Sequence, residues 1–183
     1  MSDPSSGPSS DPFHAGGDSG DLGAAGAAGP PRAALLAVDL GLRCGLAYYD
    51  RDAVLLRHAS RHFGGRDALR RGAVALLSEQ PALEWLVVEG DARLARAWQR
   101  PAAARGIALL HVEPATWRRA LLLERQQARG RDLKREAQRA AAKVVAASKA
   151  VSGTAPRHDA AEAILIGLWA CGELGWGEGG IPG

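Results

Sequence analysis

A chain of 183 residues, 46% hydrophobic and 23% charged, is long enough for one domain with a sizeable core. No apolar run approaches the roughly 18 residues that a membrane-spanning helix needs, and Cys44 and Cys171 stand far apart with no CxxC or His-rich companion, which argues against a zinc centre and a disulfide framework alike. The first 31 residues hold four Asp and no Lys or Arg, so of the net +3 they contribute −4 and residues 32–183 contribute +7, a balance that favours a polyanionic partner but also fits a merely soluble surface.

Residues 1–31 are rich in Ser, Gly, Pro and Ala with a single aromatic, Phe13, and cannot bury enough surface to offset the entropy of ordering. They are predicted to be a disordered acidic tail. The segment has no apolar core for a signal peptide and no Arg for an organelle transit peptide, so a cytoplasmic, nucleoid-associated location is expected. Apolar runs bounded by turn residues then predict strands at about 33–40, 44–49, 53–62, 83–89 and 106–112, with Asp50-Arg51-Asp52 turning the second into the third. Helical spacing predicts 66–79, where Leu69, Ala73, Leu76 and Leu77 share a stripe and Pro81 closes the element, followed by 91–104, 114–122, 132–149 and 159–173. The Gly-rich end, 175–183, reads as a flexible tail.

Three strands in succession followed by alternating helices and strands describe an α/β domain with a mixed sheet. The first three would form an antiparallel meander. A right-handed helical crossover would bring the strand ending in Glu89 parallel to the first strand and beside it. Asp39 and Glu89 would then lie near the carboxyl ends of adjacent central strands, the usual place for a site in such a sheet.

Four acids stand where a strand or helix would otherwise be apolar. Asp39 interrupts Leu35 to Gly41, Glu89 ends Leu86-Val87-Val88-Glu89, and Asp159 and Glu162 open the apolar segment 163–170. A carboxylate buried without compensation costs several kcal/mol, and a cluster of carboxylates is most simply compensated by divalent cations. This pattern points to a metal-dependent phosphodiester nuclease. Other readings stand beside it: Asp39 as a turn acid ahead of Gly45, Glu89 as an acid at a helix N-terminus, and Asp159 with Glu162 as a capping box. The three-residue spacing puts that last pair on one helix face, so capping and metal binding compete for the same carboxylates.

Four segments together carry a resemblance: Ala37-Val38-Asp39-Leu40-Gly41-Leu42-Arg43-Cys44-Gly45, Val87-Val88-Glu89, Pro114-Ala115-Thr116-Trp117-Arg118-Arg119-Ala120 and His158-Asp159-Ala160-Ala161-Glu162. In this order they resemble the RuvC-like Holliday-junction resolvases of the ribonuclease H-like superfamily, over roughly residues 33–173. The resemblance implies a five-stranded mixed sheet of order 3-2-1-4-5 flanked by helices, with the nuclease domain spanning 32–174. It also implies hydrolysis of a DNA phosphodiester with two Mg²⁺ ions per site, for which Mn²⁺ can substitute. Asp39 would bridge both ions, Glu89 would bind one, and Asp159 with Glu162 would complete the other.

DNA contact is expected between Trp117 and Lys143, a stretch with nine basic and three acidic residues. On the helix from 132, Arg135, Arg139 and Lys143 repeat at i, i+4 and i+8, opposite a stripe of Leu133, Ala137, Ala140, Ala141, Val144 and Ser148, which fits a phosphate-reading ridge or a solvated face. By resemblance Lys134 matches a basic residue near the start of this helix, and Arg118 replaces the family's lysine after the proline. The polar stretch Leu123 to Arg131 is expected to order on DNA. A four-way junction has two equivalent scissile strands, and the resemblance implies a homodimer with two sites. Bacterial resolvases of this type often carry an aromatic wedge after the catalytic glutamate, which Gly90-Asp91-Ala92-Arg93 lacks. Trp98 is a candidate substitute or a core residue. Alternatives are a ribonuclease H-like nuclease on an RNA/DNA hybrid or flap, a binding module that does not cut, and an actin-like ATPase lobe, for which the chain is too short.

Overall fold

The computed structural model describes residues 32–122, 131–148 and 155–183. The acidic N-terminal stretch and all but the last residue of the polar stretch Leu123 to Arg131 lie outside these residues. Ten elements follow in chain order: β1 (Leu35–Asp39), β2 (Arg43–Tyr49), β3 (Leu55–His62), α1 (Arg66–Ser78), β4 (Trp85–Glu89), α2 (Ala92–Ala103), β5 (Ala108–Val112), α3 (Pro114–Leu121), α4 (Arg131–Ser148) and α5 (His158–Glu173). The sheet order is β3-β2-β1-β4-β5, antiparallel through the meander and parallel across β1-β4-β5, as expected.

Two helical layers explain the apolar runs. Leu36, Val38, Leu86 and Val88 face α1 and α2, while Leu35, Ala37 and Val87 face α3, α4 and α5. Strands β1 and β4 are therefore covered on both sides and have no polar face to alternate with. β3 is an edge strand and does alternate, with Arg57 and Ala59 exposed between more buried neighbours before the exposed end at Arg61 and His62. β3 starts at Leu55, later than its apolar pattern implies, because Asp50 Oδ1 accepts hydrogen bonds from the Asp52 and Val54 backbone N–H groups and Ala53 takes a left-handed φ of 58°.

Helix α5 is apolar around most of its circumference, and it is the buried helix of the fold. It lies over β1 and β2, with α4 packed on its outer side through Ala137, Ala140, Ala141 and Val144. Two glycines set its distance from the sheet. A Cβ on Gly45 would stand 1.8 Å from the Asp159 carbonyl oxygen, and one on Gly167 would stand 2.4 Å from the Tyr49 ring. Tyr49 Oη then donates to the Ile164 carbonyl at 2.7 Å, locking the helix over the strand.

In the Gly-rich end, Trp176 and Ile181 pack against the same core as α5, and the Trp176 backbone N–H donates to the Cys171 carbonyl at 2.9 Å. Among the described residues no helix is long and apolar enough to cross a membrane.

Gly45→Ala is expected to lower stability by about 1–3 kcal/mol, the usual cost of overpacking, because α5 must lift from β2. Denaturant unfolding measures this; an unchanged midpoint would mean that α5 does not rest on this backbone.

Candidate active site

The register of the sheet gathers the site. Ser60 of β3 pairs with Gly45 of β2, Gly45 with Asp39 of β1, Asp39 with Glu89 of β4, and Glu89 with Val112 of β5. These five residues form one row across the sheet, and residues in one row point to one face. That face is the one α5 covers. Since Gly45 has no side chain, the first turn of α5 descends onto it and brings Asp159 and Glu162 over Asp39. All four predicted acids therefore converge, and Asp39 senses Glu162, Glu89 and Asp159 electrostatically.

Each competing reading meets a specific observation. The N-cap of α5 is Arg157, which makes no side-chain capping bond, and Asp159 lies inside the helix. Asp159 accepts from the Ser60 hydroxyl and Glu162 from Arg118 Nη2 at 3.0 Å, so the spacing of a capping box serves other partners. Helix α2 is capped by Asp91, which accepts from the Arg93 N–H at 2.6 Å, leaving Glu89 at the strand end. Glu89 is 6% exposed and accepts from the Trp117 indole N–H at 2.8 Å. Among the described residues no turn hydrogen bond satisfies the Asp39 carboxylate.

Charge follows from this crowding. Burial first, then the Glu162, Glu89 and Asp159 charges, push the Asp39 carboxyl up to about 8, and Arg118 opposes them. Glu89 is raised chiefly by burial, against the Trp117 hydrogen bond and Arg118. His158 Nε2 lies 3.7 Å from Glu162 Oε2.

Among the described residues no three His, Cys, Asp or Glu side chains already stand in metal-ligand geometry. Trp117, Arg118 and Ser60 each hold one carboxylate. The donor set itself is four hard carboxylates at one end of the sheet with an excess of negative charge, and this suits a hard divalent cation. A cleft of about 450 Å³ opens at the opposite end, around Tyr48, Arg57 and Pro81, away from these groups.

The predicted basic residues fall into two places. Lys134, Arg135, Arg139 and Lys143 are exposed on α4, opposite its buried stripe, and Arg139 pairs with Glu136. Arg118 is inside the carboxylate cluster. Trp98 is fully buried on α2 and cannot serve as a wedge. Ser60 and the Trp117 indole are site groups that sequence reasoning missed. Trp117 reads there as a packing residue, and only its long-range contact reveals the hydrogen bond.

No family model and no curated protein matches the chain. Among solved structures it is similar to T. thermophilus RuvC in complex with a Holliday junction substrate, at 17% identity and a TM-score of 0.56, covering 76% of this chain and 94% of that one. It also matches the yeast mitochondrial Holliday junction resolvase Ydc2, at 14% identity and a TM-score of 0.44, covering 80% and 81%. The chain has a RuvC-like form of the ribonuclease H-like fold.

The raised Asp39 carboxyl has a consequence for stability. The folded state keeps this proton where the unfolded chain, with an ordinary value of 3.8, has lost it, so the contribution is complete below about 4 and disappears as pH rises through about 8. In chelator, the wild-type melting temperature should fall relative to Asp39→Asn between pH 5 and 9 by several degrees, at about 2–4 °C for each kcal/mol in a chain of this size. Parallel melting curves across that range would contradict the placement of Asp39 among the other acids.

Proposed function

We propose that this protein is a divalent-metal-dependent endodeoxyribonuclease that resolves Holliday junctions in recombination and repair. One observation carries the reading: a single row of the sheet sets Asp39 beside Glu89, and α5 lowers Asp159 and Glu162 over it. The fold it shares with a RuvC–junction complex agrees with this reading.

Asp39, Glu89, Asp159 and Glu162 are the residues that would hold Mg²⁺ or Mn²⁺. Such cations, when bound, lower the pKa of water and screen the charge of a phosphodiester undergoing displacement. The remaining chemistry belongs to the chain. Trp117 fixes one oxygen of Glu89, and the Ser60 hydroxyl fixes one of Asp159, so both carboxylates are oriented before substrate arrives. The Gly45 contact holds the α5 backbone on the sheet, which keeps Asp159 and Glu162 from swinging away with their helix. The exposed Lys134, Arg135, Arg139 and Lys143 of α4 supply cations for the phosphates of a DNA strand.

A junction offers two scissile strands related by a two-fold axis, so the active form in this proposal is a homodimer with one site per protomer. Its place of action is the cytoplasm, at the nucleoid.

Cleavage of a synthetic four-way junction, beside a matched linear duplex, an RNA/DNA hybrid and a flap, tests the reading. Paired symmetric cuts near the branch point, dependent on Mg²⁺, are expected. Asp39→Asn should reduce them by at least ~100-fold, the loss when several kcal/mol of transition-state charge stabilisation disappear, while binding to the junction persists. Cutting of the hybrid or flap alone would keep the site and change the substrate; equal cutting by the variant would sink the site assignment. Separately, Arg135→Ala with Arg139→Ala should weaken binding and flatten the salt dependence by roughly two units of log–log slope, about 0.9 for each lost phosphate contact. An unaltered slope in a fluorescence titration from low to high salt would move the DNA surface elsewhere.

A further inference from the structure

The carboxylate cluster contains its own cation. Arg118 Nη2 donates to Glu162 Oε1 at 3.0 Å, and the two side chains are only 25% and 14% exposed. Trp117, one residue earlier, holds Glu89 through its indole, so adjacent residues of α3 grip one carboxylate from β4 and one from α5. The Arg118 guanidinium is also incompletely used. Its Nε is buried with no hydrogen-bond partner among the described residues, while its central carbon lies 5.0 Å from the Trp117 ring centroid. An arginine serving only as a structural partner can offer a carboxylate two parallel N–H bonds. Arg118 gives Glu162 one and leaves a buried donor open to a further acceptor.

We propose that Arg118 is the site's resident countercharge, which a divalent cation must displace from Glu162 and which a DNA phosphate draws away. This rests on the metal-dependent reading above. Guanidinium and cation compete for the same carboxylate and neutralise the same field, so each weakens the other's hold. A phosphate oxygen accepting from the guanidinium, its open Nε–H included, relieves that competition. By linkage, DNA then tightens cation binding and the cation tightens DNA binding to the same degree. In the absence of DNA, the arginine keeps the site poorly loaded, and this limits cutting to a strand already in place.

The test is calorimetric titration of Mn²⁺ into wild type, Arg118→Gln, Arg118→Lys and Asp39→Asn, without DNA and then with an uncut duplex bound. Without DNA, Arg118→Gln should bind Mn²⁺ at least ~5-fold more tightly than wild type, the lower end of ordinary coupling between two sites. Arg118→Lys, which keeps the charge, should stay near wild type and serves also if the glutamine variant does not fold. Bound DNA should tighten Mn²⁺ binding in wild type and leave Arg118→Gln nearly unaffected. Equal Mn²⁺ affinity in wild type and Arg118→Gln, with binding lost in Asp39→Asn, would overturn the countercharge role and leave the metal site standing. No Asp39-dependent Mn²⁺ binding in any variant would overturn both.

Discussion

Four carboxylates gathered at one end of a sheet repel one another, and much of the surrounding structure works against that repulsion. Asp39 and Glu89 cannot separate because they are register partners in strands buried on both faces. Asp159 and Glu162 cannot retreat because α5 is seated directly on the Gly45 backbone and anchored further along by Tyr49. What the core imposes, three donors from two elements relieve: Ser60 from β3, and Trp117 and Arg118 from α3. Removing one such donor leaves a neighbour's charge uncompensated, so the effects of substitutions within this group should not add.

Much of the fold was legible because long-range topology left local marks. The apolar runs ending in Asp39 and Glu89 marked two central strands, and the handedness of the crossover between them made those strands neighbours. The α1 stripe of Leu69, Ala73, Leu76 and Leu77 is buried as its spacing implied. Asp159 and Glu162 remained ambiguous from sequence, since a helix start requires the same residue types at the same spacing whichever partner they meet. The position of Arg157 as N-cap, and the bonds of Asp159 to Ser60 and of Glu162 to Arg118, argue against the capping role.

The unreadable parts share a cause. Trp117 and Glu89 are 28 residues apart, and Ser60 and Asp159 are 99 apart, so no window of sequence contains either hydrogen bond. Arg118 has the same difficulty: a basic residue beside other basic residues reads as a solvent-facing phosphate contact, whereas its carboxylate partner comes from α5, 44 positions later. At the C-terminal end, Trp176 and Ile181 pack against the core from a Gly-rich stretch.

The edge strand β3 has a further consequence. An uncovered strand edge is a template for another strand, and two copies of a protein can join there into a continuous sheet. Along β3 the outward positions bring Arg57 and Arg61, with His62 at the end, so two such edges meeting would bring like charges together. Sheet extension through the β3 edge is thereby disfavoured as a route to self-association.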